Sequence, residues 1–215
     1  MVYQPVIPIT GYGGWKFLES TFDKQFEGFT DSASVRNDRE YFQEKMSSPV
    51  AIEDFLSDRR LLRISLTSFD LGGEEWKVGF LRHMMEEQAD PDSSFLKRLN
   101  SPAYTAFATT FTVTDGKISL SQDTIASLAD DFERAAFRSA VGNVDNNMKL
   151  SLNYEAKVGD LVREGSSDEA NLYRLLGDVP TRTVLETALN LPTSWQQLDV
   201  DQQADILKER VLSVF

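Results

Sequence analysis

The segment SQDTIASLADDFERAAFRSAV, residues 121–141, decides the fold class. Its apolar side chains recur every three or four residues: Ile125, Leu128, Phe132, Ala135 and Ala136. Charged side chains occupy the positions between them. This spacing places the apolar residues on one face of an α-helix, and it predicts an amphipathic helix that packs on a shared core.

The same spacing continues on both sides of this segment and predicts a helix in nearly every part of the chain. The predicted helices cover residues 15–29, 32–46, 49–69, 74–88, 95–99, a segment beginning at 101–102, 148–162, 168–176, 180–189 and a last segment beginning at 199. We therefore predict an all-α fold, a multi-helix globular bundle of about ten helices in a single all-helical domain, 1–215.

Residues 110–120 interrupt the helical spacing. Phe111 and Val113 alternate with threonine, and Asp115-Gly116 is a strong signal for a two-residue turn. We expect at most one small β-hairpin near 111–120, with Val113 opposite Ile118 and Phe111 opposite Leu120. A connecting loop is the alternative. The stretch 112–120 is also the candidate divide between two subdomains.

Charge and composition exclude several classes of protein. The formal net charge of −12 repels nucleic-acid phosphates and anionic lipid, so we expect no nucleic-acid partner. No stretch approaches the roughly 18 apolar residues that a membrane span needs, so we expect no membrane insertion. The chain contains no cysteine, and its N-terminal residues resemble no cleavable leader. We expect a cytoplasmic protein, or one exported without a cleavable signal peptide. The sequence gives no oligomeric state.

Candidates for chemistry are few. His83 is the one histidine in the sequence. A metal site cannot use a second histidine, and a catalytic triad would have to use His83 itself. Gly11-Tyr-Gly-Gly14 precedes a helix but lacks the spacing of a phosphate-binding loop. The carboxylates are scattered, and those near Asp199 do not form a calcium loop. We assign no catalytic, cofactor-binding or metal-binding residue, and we expect no cofactor.

The segment Asp58-Arg59-Arg60-Leu61-Leu62-Arg63 contains the residues for which we expect a structural or interaction role: Asp58, Arg59, Arg60 and Arg63. If 49–69 is one continuous helix, Arg59 lies near the middle of its apolar face and Arg63 beside it. We therefore predict that Arg59 is buried and bonded outside its own helix, to an Asp or Glu or to helix-end carbonyl groups. The alternative is a kink at Ser57-Asp58 that turns the arginines outward.

Several stretches resemble a bacterial family known as domain of unknown function 1217. They are Tyr3 to Leu18, Asp38-Arg-Glu-Tyr-Phe42, Pro49 to Leu71, Leu189-Asn-Leu-Pro192 and Asp201-Gln-Gln203, whereas 110–165 carries little of the resemblance. The resemblance implies an all-helical fold and no established activity, cofactor or catalytic residue. Some relatives are encoded beside flagellar genes.

We expect a non-enzymatic protein-interaction or assembly accessory protein, associated with the flagellum, that holds a protein partner through an apolar groove or the Arg59 region. One alternative is a small-molecule-binding helical domain with an aromatic pocket near Trp15 and Trp76. Another is a carboxylate-based hydrolase, which requires two inward-facing carboxylates of raised pKa in a cleft.

Overall fold

The computed structural model of the chain describes residues 3–88, 95–99 and 101–214. It divides into two compact units, 1–140 and 141–215, which are described separately below. The candidate divide at 112–120 lies inside the first unit. In the described part of the chain, no helix is long and apolar enough to cross a membrane.

The predicted all-α fold is confirmed. The helices that begin in the first unit are α1 Gly11–Thr30, α2 Ala33–Met46, α3 Ile52–Ser57, α4 Arg59–Thr67, α5 Val78–Gln88, α6 Phe95–Leu99, α7 Pro102–Thr110 and α8 Gln122–Gly142. The strands are β1 Val50–Ala51, β2 Val113–Thr114 and β3 Lys117–Ile118. The segment quoted first forms α8, where the Ser121 hydroxyl accepts a hydrogen bond from the Thr124 N–H at 3.1 Å and caps the helix.

The predicted hairpin is present, with a register that is partly as expected. Val113 pairs with Ile118 in an antiparallel ladder, and Asp115 and Gly116 form the turn with φ values of 51° and 74°. Left-handed backbone at both turn positions suits the right-handed twist of the strands. Phe111 does not lie opposite Leu120, because its N–H closes the last turn of α7 on Phe107 O at 2.9 Å.

Sequence reasoning missed a third strand. β1 pairs with β3, so the sheet order is β1-β3-β2. The helix predicted to begin at Pro49 instead begins at Ile52, whose N–H donates to Gly116 O at 3.0 Å. The small hairpin is therefore supported on one edge by β1 and by the helices around it.

Aromatic side chains fill the core of the first unit. Phe55 and Phe111 have ring centroids 5.1 Å apart, and both pack near Phe107. A second group joins α1 to α8, where the Phe137 ring meets Phe22 edge-on at 5.3 Å. Such edge-to-face pairs add to the stabilisation from apolar burial.

The second unit contains α9 Asn146–Leu161, α10 Asp168–Gly177, α11 Val179–Ala188, a 3₁₀ helix Thr193–Gln197 and α12 Val200–Val214. Helix α9 packs on α11, and α10 packs on α12. Trp195 is buried in this unit's core with Leu176 and Leu207. Asp145 caps α9 and Asp178 caps α11, each through side-chain oxygens that accept backbone N–H groups.

Candidate functional site

The continuous helix predicted over 49–69 is wrong. Asp58 lies between α3 and α4 with extended backbone, φ −79° and ψ 92°. Its carboxylate oxygen Oδ1 accepts hydrogen bonds from the N–H groups of Arg60 and Leu61, at 3.1 and 3.0 Å. Asp58 therefore ends one helix and caps the next, and the chain turns at this residue.

The prediction that Arg59 is buried is also wrong. Arg59 is exposed and forms no ion pair with any residue that the structure describes. The turn at Asp58 rotates α4 so that Leu61, Leu62 and Leu66 face the core, which leaves Arg59 on the outer side. The alternative, a kink that turns this arginine outward, is the arrangement found.

Arg60 and Arg63 share one carboxylate on α2. Arg60 Nε donates to Asp38 Oδ1 at 2.8 Å, and an Arg63 terminal nitrogen donates to Asp38 Oδ2 at 2.6 Å. The two arginines are three residues apart on α4, so they project from the same face of the helix. The Arg60 guanidinium also lies over the Tyr41 ring, 4.2 Å from its centroid. These contacts attach α2 to α4.

Asp58 belongs to the same group of contacts. The Tyr41 hydroxyl donates to Asp58 Oδ2, and Lys45 Nζ lies 4.0 Å from that oxygen. Burial disfavours the charged carboxylate, but the hydrogen bonds from Leu61 N–H and Tyr41 and the charge of Lys45 outweigh it, so the pKa of Asp58 is lowered. We call Asp38, Tyr41, Asp58, Arg60 and Arg63 the α2–α4 polar cluster. Its charges are paired within the protein, which favours a structural role.

Residues next to this cluster join α2 to α8. Arg39 forms ion pairs of 2.7 Å with Asp130 and with Glu133. Glu133 is 8% exposed, and burial raises its pKa although Arg39 opposes the shift. Asp38 and Arg39 were visible only as part of a family resemblance, and no local spacing linked them to residues 60, 63 or 133.

Residues 3–10 form an extended arm that runs antiparallel to α1. The Tyr3 ring lies over Gly28, where a Cβ would come within 3.2 Å of a ring carbon. At the other end Ile9 lies over Gly13, where a Cβ would come within 2.8 Å of Ile9 Cδ1. The two glycines allow this close approach of the arm to the helix.

Gln25 holds the arm by its backbone. Its side-chain oxygen accepts the Val6 N–H at 2.7 Å, and its side-chain nitrogen donates to Val6 O at 3.1 Å and to Thr21 Oγ1 at 2.7 Å. Gln25 is buried. The side-chain amide therefore satisfies both backbone groups of Val6 as a neighbouring strand would.

Four large apolar side chains of the arm and of the first turns of α1 are exposed. The exposed fractions are 58% for Val6, 59% for Ile9, 75% for Tyr12 and 37% for Phe17. No charged residue occurs before Lys16, which is paired with Glu19 at 2.6 Å. We call Val6, Ile9, Tyr12 and Phe17 the arm ridge.

An open groove of about 410 Å³ lies beside α8 in the first unit. We call it the α8 groove, and its lining residues are Phe69, Thr110, Asp123, Thr124, Ser127, Leu128 and Asp131. Trp15 and Trp76 do not line it, and Trp76 is 72% exposed in the turn before α5. Partial burial raises the pKa of Asp131, and the adjacent negative charge of Asp130 raises it further.

The other candidates from the sequence lie apart from these features. The His83 side chain is on the surface of α5, with its ring edge-on to Phe95 at a centroid distance of 4.7 Å. Gly11, at φ 71°, begins α1. In residues 3–88, 95–99 and 101–214, no three His, Asp or Glu side chains are grouped so that they could hold a metal ion.

Comparisons with known proteins give a family and a fold. Residues 68–214 match a family described as "Protein of unknown function (DUF1217)". A protein of Agrobacterium tumefaciens, solved by X-ray crystallography in a structural genomics programme, is similar in fold with a TM-score of 0.69. It is 21% identical, and the alignment covers 96% of this chain and 87% of that chain. No curated protein matches the chain.

Proposed function

This chain belongs to the DUF1217 family of proteins of unknown function, and we propose that it is a non-enzymatic interaction protein that binds an apolar helix of a protein partner. The observation that carries the proposal is the arm ridge, which exposes four large apolar side chains, three of them before the first charged residue, Lys16. A concentration of exposed large apolar side chains in one short segment is typical of a surface that a partner covers.

The chemistry of the partner follows from the charge of this chain. A net charge of −12 attracts basic surfaces and repels acidic ones, including a second copy of the same chain. Exposed acidic residues follow the ridge along α1, namely Asp23 and Glu27. We therefore propose a partner helix with an apolar face flanked by lysine or arginine, in which the apolar face supplies affinity and the basic flanks direct the encounter.

We propose flagellar assembly as the setting for this partner. The support is the family resemblance, since some relatives are encoded beside flagellar genes. The α2–α4 polar cluster is left out of the binding surface because its charges already pair with one another. Arg59 is exposed and lacks such a pair, but a single arginine is a smaller anchor than the arm ridge.

A matched pair of variants tests the proposal. Ile9→Ser with Tyr12→Ser removes two side chains of the arm ridge, whereas Val162→Ser with Leu212→Ser removes two exposed apolar side chains elsewhere in the chain. Partners that co-purify from native cells are identified by mass spectrometry, and the affinity of each purified candidate is then measured by calorimetry. We expect the ridge variant to bind its partner about tenfold more weakly and the control to bind normally.

Equal affinity of the ridge variant and the unaltered protein would contradict the proposal. The flagellar setting has its own test, because a deletion strain with normal motility and a partner unrelated to the flagellum would overturn that part while leaving the binding surface intact.

A further inference from the structure

We propose that the α8 groove binds a linear aliphatic polyamine, with one ammonium group near Asp123, another near Asp131 and the methylene chain along Phe69 and Leu128. The site shares no residue with the arm ridge and does not depend on the function proposed above.

The spacing of the groove residues makes them one surface. Thr124, Ser127, Leu128 and Asp131 lie at positions i, i+3, i+4 and i+7 of α8, so their side chains leave the helix on one side. Asp123, eight residues before Asp131, lies about 12 Å from it along the helix axis. The α8 side of the groove therefore carries two carboxylates that are separated along the helix.

The opposite wall is held in place by packing. The Phe69 ring meets Phe107 edge-on at 5.7 Å and Phe111 at 6.1 Å. The preceding residue, Ser68, donates its hydroxyl to Leu128 O at 2.9 Å, which attaches this segment to α8. The wall and the floor are thus in place before a ligand arrives, and such preorganisation lowers the entropic cost of binding.

The charges in the groove favour a cation. Neither the Asp123 nor the Asp131 carboxylate forms an ion pair or accepts a hydrogen bond within the described part of the chain. The hydroxyl-bearing residues Thr110 and Ser127 and the aromatic Phe69 also line the groove. Hydroxyl oxygens accept hydrogen bonds from ammonium groups, and aromatic rings attract them. Burial and the negative charge of Asp130 raise the pKa of Asp131, against the opposing charges of Arg134 and Arg138, and an ammonium group bound beside the carboxylate would lower it.

The shape of the groove selects among cations. A volume of about 410 Å³ is at the lower end of the range for small-molecule sites. A metal ion would reach only one of the two carboxylates, given their separation of about 12 Å along α8. An extended aliphatic chain with a charge at each end fits both carboxylates and places its methylene groups on Phe69 and Leu128.

Calorimetric titration of the full chain with spermidine tests the proposal, because extended spermidine spans the groove whereas putrescine is too short to reach both carboxylates. We expect putrescine to bind about tenfold more weakly than spermidine, since it forms only one of the two ion pairs. The variant Asp123→Asn with Asp131→Asn should lower spermidine affinity by about tenfold.

The control variant is Asp160→Asn with Asp205→Asn, which removes two exposed carboxylates outside the groove and changes the net charge equally. We expect its spermidine affinity to stay within about twofold of the original. Ser127→Arg, an exposed substitution that places a cation in the groove, should abolish binding while circular dichroism shows an intact fold. Absence of spermidine binding, or an equal loss in both double variants, would overturn the proposal.

Discussion

Asp38 joins α2 to α4 through two arginine side chains. Its two carboxylate oxygens accept hydrogen bonds from Arg60 and Arg63, and its side chain is only 17% exposed. Arg59, next to Arg60 in the sequence, takes no part in this contact. Because the chain turns at Asp58, Arg60 contacts α2 whereas the adjacent Arg59 is exposed.

Asp38→Ala is expected to lower the free energy of unfolding by about 1–2 kcal/mol, because two partly buried guanidinium groups lose their partner. Arg59→Ala is the matched control, and it should change stability by less than about 0.5 kcal/mol because its side chain is exposed and unpaired. Urea unfolding followed by circular dichroism measures both. A larger effect of Arg59→Ala than of Asp38→Ala would contradict this assignment.

The raised pKa of Asp131 predicts that the stability of the protein depends on pH. Its pKa is raised in the folded protein by partial burial and by Asp130, against the opposing charges of Arg134 and Arg138. The folded state therefore holds this proton to higher pH than the unfolded state, and stability falls as pH rises through the interval between the two pKa values. Asp131→Asn should raise the melting temperature at neutral pH, and the gain should disappear at pH 3. A lower melting temperature of Asp131→Asn than of the unaltered protein at neutral pH would contradict this prediction.

Among the short elements, the hairpin depends on its turn. Gly116 has a φ of 74°, so Gly116→Ala should cost about 1–2 kcal/mol of stability. Gly79 lies in α5 with no atom within 4 Å of an added Cβ, so Gly79→Ala should stabilise the protein by about 0.5–1 kcal/mol. Denaturant unfolding compares the two. A change in the free energy of unfolding in the same direction for both substitutions would contradict the backbone conformations described.

The arm depends on one side chain of α1. Gln25→Ala removes both hydrogen bonds to the Val6 backbone, so hydrogen exchange at the Val6 amide should become faster. The substitution Lys24→Ala, at the exposed neighbouring position, should leave that exchange unchanged. Unaltered exchange in the Gln25 variant would mean that apolar packing of the arm, without Gln25, is enough to protect this amide.

Sequence reasoning succeeded where local spacing decides the structure. Helix α8, the hairpin turn at Asp115-Gly116 and the helices of the second unit follow from residues close together in the chain. Sequence reasoning did not predict that a helix ends and another begins at Asp58. Aspartate is a common N-cap residue, and here its carboxylate accepts the N–H of Arg60, so this residue type was a usable signal. The pairs from Asp38 to Arg60 and from Arg39 to Glu133 span 22 and 94 residues, and no local pattern predicts them.

At the scale of the whole molecule, an acidic chain exposes large apolar side chains in its first residues. Its net charge is −12, yet no charged residue occurs before Lys16, and that segment contains three of the four arm-ridge residues. The net charge disfavours self-association, while the exposed apolar side chains of the arm ridge favour burial against a different protein. Together these two properties support the proposal of a basic-flanked partner helix.

Hydrogen–deuterium exchange of this protein with its purified partner, compared with the free protein, tests the proposed binding surface most directly. The account predicts added protection in residues 3–17, where the arm ridge lies, and little change in the α2–α4 polar cluster. Protection confined to the segment 58–63, or to the second unit, with residues 3–17 exchanging as in the free protein, would contradict it.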